Sequence, residues 1–165
     1  MTPWFFTLAQ VSILAYALLG GVFLAFSDFI MRSLARTGGS GGIEAMQVVN
    51  REVFRWIFMA LFLGMAPVSL LLSGYGYLAL GGPGAMPVVL SGLVYLVGCF
   101  AVTVRFNVPM NEALAAMDPT ADIARSYWEG TYLPRWTFWN SVRTAACIAA
   151  AGLLLAGILR IGPGG

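Results

Sequence analysis

The sequence contains no histidine and no lysine, and only 10% of its 165 residues are charged. Without histidine there is no imidazole to ligate haem or zinc, or to act as the usual general base near neutral pH. The low charge excludes a soluble domain, since those carry roughly 25% charged residues. A chain that is 59% hydrophobic, with a mean hydropathy of +0.83, has too little polar surface to cover itself in water. Cysteine is scarce too. Cys99 and Cys147 both fall in apolar runs with no partner nearby in sequence, and they read as buried packing. The nine positive charges are all arginine and are spread along segments that flank the apolar runs, so nucleic acid is not an expected partner.

What is present is a set of four apolar runs, at residues 5–31, 53–80, 86–104 and 141–161. Each is long enough for a spanning helix, which needs about 20 apolar residues. The expected fold is all-α: one domain over 1–165, an integral membrane four-helix bundle with short amphipathic helices on the cytoplasmic side. The second run contains the breakers Pro67, Ser73, Gly74 and Gly76. Arg32, Arg36, Arg51 and Arg55 lie in the first connection, and Arg105, Arg125 and Arg135 in the third, whereas the middle turn has no charge. The positive-inside rule then puts both long connections in the cytoplasm and both termini outside, as in a bacterial inner membrane.

The first connection carries a helical stripe, Ile43, Met46, Val49, Val53 and Trp56, that predicts an inward extension of the second span. "TGGSGG" before it predicts a break. "NVPMNEALAAM" predicts a separate short helix starting at Pro109. Small residues at Gly20, Gly21, Gly92, Gly98, Gly152 and Ala156 would permit close helix packing.

Several polar residues stand out against this background. Asp28 is the one carboxylate embedded in a span. Arg32 lies one turn on, so the two read either as a boundary ion pair or as a carboxylate facing a cavity. Asn107 and Asn111 flank Pro109 at the end of the third span, where they either cap a broken helix or form part of a site. Trp136, Asn140 and Arg143 share one helix face, with Thr144 adding to it. Trp136 and Trp139 read as an interfacial belt. Arg143 lies a turn inside the span and needs an acceptor, which the amides at Asn107 and Asn111 can supply. Gln47 and Arg51 gain interest because topology brings their segment to the same side.

"GVFLAFSDFIM", "GIEAMQVVN", "GCFAVTVRFNVPMNEALAAMDP" and "WTFWNSVRT" occur in the order and spacing of a known family. In these segments the chain resembles the small membrane proteins called anthrone oxygenase-like. "FNVPMN" and "WNSVRT" are the specific part. The resemblance implies oxidation of a lipophilic aromatic by dioxygen without metal or flavin, so no cofactor is expected. It carries Asn107, Pro109, Asn111, Trp136, Asn140 and Arg143 over as pocket residues. The family commonly has His in place of Ser141, an uncharged residue in place of Asp28 and Pro in place of Arg32.

The combined expectation is a membrane oxygenase-like protein with Arg143, Asn140 and Asp28 as catalytic candidates. Asn107, Asn111, Trp136, Gln47 and Arg51 are the substrate-binding candidates. Expected partners are membrane lipid, a lipophilic small molecule, and a second copy or a membrane complex. The alternative is a non-catalytic subunit, or a lipid- or quinone-binding protein.

Overall fold

The computed structural model describes residues 2–55 and 57–161. These residues are helical almost throughout, and they contain no strand. Four long helices dominate: α1 (Pro3–Leu34), α3 (Ile57–Leu78), α4 (Ala85–Ala115) and α5 (Asp122–Ile161). A shorter helix, α2 (Gly41–Glu52), lies in the first connection. The protein is a helical membrane bundle. Leu14, Leu70, Val97 and Leu159 are more than half exposed, and such outward apolar side chains contact lipid.

Helix lengths divide the molecule into two storeys. At 1.5 Å per residue the 22 residues of α3 span about 33 Å, close to the ~30 Å hydrocarbon core. The 32, 31 and 40 residues of α1, α4 and α5 run to about 46–60 Å, so these three helices project beyond the membrane. The helices alternate in direction, and the overhangs therefore gather at the end carrying the two long connections. The membrane storey has a core including Phe5, Leu19, Leu72, Tyr95 and Leu154. The overhang has its own core, of Met31, Ile43, Met46, Leu114, Ala124, Trp128, Tyr132 and Trp136.

Around the bundle, α5 packs closely on α1 and α4, and α4 on α3, while α1 and α3 meet along a thin seam. Lipid tails are as apolar as the helix surfaces, so association depends on close packing rather than on hydrophobic burial. Gly92 shows this directly. A Cβ there would collide with the carbonyl oxygen of Ser69 on α3. At Gly98 it would sit 2.7 Å from the Cβ of Ala146. Gly21 and Gly152 face open space, so the small residues singled out in the sequence do not all serve packing.

Two expectations are corrected. α2 does not run into the second span: the chain turns at residues 53–55, and α2 lies as a separate helix (Trp56 of its predicted stripe falls outside the described residues). The reason is where its apolar face finds burial. Ile43 and Met46 pack into the overhang core, and Gln47 Nε2 donates to the carbonyls of Leu114 (2.8 Å) and Met117 (3.0 Å) at the end of α4. A helix continuing α3 could not reach these partners. Gly39, with φ of +61°, makes the turn into this arrangement at backbone angles that favour glycine.

The separate helix predicted at Pro109 is also absent, because α4 continues through it. Proline removes one N–H and crowds the carbonyl four residues back. The chain absorbs this by widening to i→i+5 turns over Thr103–Asn107, just before Pro109, and over Trp128–Trp136 around Pro134. Similar turns occur at Phe26–Ile30 and Leu96–Ala101.

Candidate functional site

A cavity of about 100 Å³ lies at the junction of the two storeys, along the thin seam between α1 and α3. Its aromatic wall comes from Phe23 and Phe26 on α1, Phe54 in the following connection, and Phe58 and Phe62 on α3. α2 closes the overhang side with Met46, Val49 and Asn50. The polar wall is Thr103 and Asn111 on α4 with Trp136, Asn140 and Arg143 on α5. No carboxylate is among the side chains lining it.

Arg143 is the electrostatic centre of this site. Its residue is 6% exposed. The guanidinium carbon lies 4.3 Å from the ring centre of Phe23 and 5.3 Å from that of Trp136, so the cation rests between two π faces. NH2 donates to Asn140 Oδ1 at 2.6 Å, and NH1 makes a long contact to Thr103 Oγ1 at 3.4 Å. Nε is fully buried and has no acceptor. Among the described residues no carboxylate pairs with Arg143: the ion pairs there are Asp28–Arg32 and Glu52–Arg55. A buried charge without a counter-charge costs several kcal/mol, on the order of 3–5 when a partner is removed.

Asn140 holds the arginine. Its Nδ2 donates to the Phe23 carbonyl and to Ser27 Oγ, each at 2.6 Å, which leaves its Oδ1 for Arg143. Asn111 uses Oδ1 twice, accepting from Tyr132 OH and Trp136 Nε1, both at 2.8 Å. Asn107 is fully buried outside the cavity lining, with Nδ2 donating to the Trp136 carbonyl at 3.3 Å and Oδ1 unpartnered. Both asparagines tie α4 to α5; neither caps a helix end. Trp136, read from sequence as part of an interfacial belt, is 4% exposed and interior. Trp139 stacks on Phe106 with ring centres 3.6 Å apart.

The structure therefore gathers Asn111, Trp136, Asn140 and Arg143, with Asn107 just behind them. It does not bring the others to the cavity. Asp28 is exposed, paired with Arg32 across 3.7 Å, and is not a lining residue. Gln47 is buried but spent on the α4 carbonyls, and Arg51 is exposed. Ser141 lies in a second, open cleft that it shares with Ser27, Arg32 and Glu129. Its Oγ meets Ser27 Oγ at 2.9 Å, one bond away from Asn140. A side chain at position 141 thus faces that cleft rather than the cavity.

Sequence reasoning missed Asn50, Thr103, Tyr132 and the phenylalanine wall. A signal existed for two of them. Asn50 continues the stripe of Ile43 and Met46 at helical spacing, and Tyr132 stands one turn before Trp136 on the Asn140 and Arg143 face. Phenylalanines in an apolar span carry no such mark.

Fold and site together define a helical membrane protein with a partly open, aromatic-lined cavity whose wall carries a buried arginine without a carboxylate partner among the described residues. The anthrone oxygenase family model matches residues 54–153, from the connection before α3 into α5, and the chain belongs to that family. No curated protein and no solved structure matches it.

Proposed function

We propose that the protein is a membrane oxygenase that oxidises a lipophilic aromatic carbon acid of the anthrone type with dioxygen. The observation that carries this reading is Arg143, a buried guanidinium with no counter-charge on the wall of an aromatic cavity. Anthrone has a methylene between two aryl rings, conjugated to a carbonyl. Loss of one proton gives an enolate whose charge sits largely on that oxygen. Preorganised donors in a dry site act most strongly on such developing charge, and losing one typically costs about 100–1,000-fold in rate.

In this scheme the phenyl rings hold the flat ligand, Arg143 binds the oxyanion, and Asn140 positions Arg143. The first proton passes to water rather than to Asp28, whose carboxylate is exposed and outside the cavity. The enolate carbon gives electrons to dioxygen and bonds to it, the peroxide anion takes a proton back from water, and the hydroperoxide loses its remaining C–H proton as the O–O bond breaks and water leaves. In sum, two C–H bonds and the O–O bond break, one oxygen becomes the new carbonyl and the other leaves as water. Ligand cavities typically occupy about 300–1,000 Å³, so a tricyclic ligand must push lining side chains aside. Phe54 is 64% exposed and Phe58 and Met59 are half-buried, which makes them the rim that gives way. The arginine distribution supports a cytoplasmic overhang.

Purified protein in detergent is expected to accelerate dioxygen uptake with anthrone, and Arg143→Met to lose that acceleration. Wild-type uptake at the spontaneous rate would sink the reading. A second reading, a non-catalytic lipid- or quinone-binding subunit, draws on the same bonds: Arg143 and Asn140 latch α5 to α1 and α4. Stable co-purification of a membrane partner, with no turnover, would favour it.

A further inference from the structure

We infer that Asn111 is a specificity-determining residue that donates to a second oxygen on the ligand, and that Trp136 and Tyr132 are the positioning residues that aim it. This rests on the proposal that the cavity takes an oxygenated aromatic.

The argument follows from which atoms can donate. An indole N–H can only donate. Trp136 Nε1 lies 2.8 Å from an oxygen-or-nitrogen end of the Asn111 amide, so that end is the carbonyl oxygen. The Tyr132 hydroxyl, 2.8 Å from the same oxygen, must then donate to it as well. Its oxygen is left to accept, and Asn50 Nδ2 donates to it at 3.2 Å. One donor-only group thus sets the polarity of the whole chain from Asn50 to Trp136. The consequence falls on Asn111. Its carbonyl is used twice, and its NH2 group meets no acceptor among the described residues while the residue lines the cavity. The cavity therefore presents donors at two places, the Arg143 guanidinium and the Asn111 amide. A ligand carrying two acceptor oxygens, such as a hydroxylated ketone or quinone, satisfies both, whereas a bare hydrocarbon satisfies neither.

The test is binding to the full-length protein in detergent, read as quenching of tryptophan fluorescence, with two probes of similar shape: 1,8-dihydroxyanthraquinone and anthracene. Asn111→Asp is the informative variant. A carboxylate still accepts from Tyr132 and Trp136, so the tie between α4 and α5 is kept while the donor toward the ligand is lost. Wild type is expected to prefer the oxygenated probe. Asn111→Asp and Asn111→Leu should each narrow that preference, by about three- to tenfold for one lost hydrogen bond. Tyr132→Phe should narrow it by less, because the amide can then turn. Anthracene binding reports an intact cavity in each variant. An unchanged preference in both Asn111 variants would overturn the inference. Narrowed preference without wild-type anthrone oxidation would sink the oxygenase reading and leave this one standing. Oxidation with unchanged preference would sink this one alone. Wild type that binds neither probe would overturn both.

Discussion

The two storeys of this bundle are held by different means. In the membrane storey the side-chain bonds between helices are separate pairs, such as Tyr16 OH with Ser69 Oγ and Tyr95 OH to Phe62 O, set among helices that meet by the closeness that residues such as Gly92 allow. In the overhang, side chains bond across long sequence separations: Gln47 to Leu114 and Met117, Asn50 to Tyr132, Tyr132 and Trp136 to Asn111. Shape below comes from close packing with single cross-helix bonds, and shape above from a connected set of directional bonds. The cavity sits where the two regimes meet, which is where a buried cation can be held by hydrogen bonds on one side and aromatic faces on the other.

The sharpest way to break this division is at Arg143. Arg143→Met is expected to remove anthrone oxidation, on the order of 100-fold or more. It should also leave the fold as stable or more so, by up to about 4 kcal/mol, because an apolar side chain of similar length needs no counter-charge there. Oxygen uptake and thermal unfolding in detergent measure the two effects, and parallel losses would contradict the claim that the residue serves function at a cost to stability.

Gly92→Leu attacks the membrane storey alone. Overpacking at the Ser69 contact should cost roughly 1–3 kcal/mol, read as a lower unfolding midpoint. Gln47→Leu attacks the overhang alone. Losing its two bonds to α4 should cost about 1–3 kcal/mol. Hydrogen exchange should then rise in α2 and stay low in α3, whereas uniform loss of protection would mean that the storeys are one unit.

The smallest effect concerns the turn before α5. Asp118 Oδ1 accepts from the backbone N–H and the hydroxyl of Thr120, and these bonds hold its carboxyl below the ordinary value of 3.8. A depressed folded-state value stabilises above that range, and the gain is lost as pH falls through the folded-state value. Wild type and Asp118→Asn should therefore differ slightly in unfolding midpoint near neutral pH and converge in acid below 3.8.

Run length and composition were enough to give four spans, since twenty apolar residues in a row leave few alternatives. The helical face of Trp136, Asn140 and Arg143 was equally legible, because spacing alone puts those residues together. Of the two readings of Asp28, the structure shows the boundary pair with Arg32 and not the cavity-facing carboxylate: depth in a span can be counted in sequence, but which way the side chain faces depends on the neighbour, and α1 turns Asp28 outward. The separate course of α2 was hidden in the same way. Its stripe was visible, but its docking partner, the end of α4, is distant in sequence. The route of α4 through Pro109 depended on widened turns that residue types do not announce.

Those widened turns give the site an angular register. Each takes up extra chain within a continuous helix, so the stretch from Trp128 to Trp136 sets the azimuth of Tyr132 and Trp136 against Asn140 and Arg143 farther along. Deleting a single residue between Tyr132 and Trp136 would rotate Tyr132 against Trp136, Asn140 and Arg143 by about 100°. The spans would survive such a deletion and the hydrogen-bonded chain from Asn50 to Trp136 would not. Chain length between Tyr132 and Trp136 is thus constrained to the single residue.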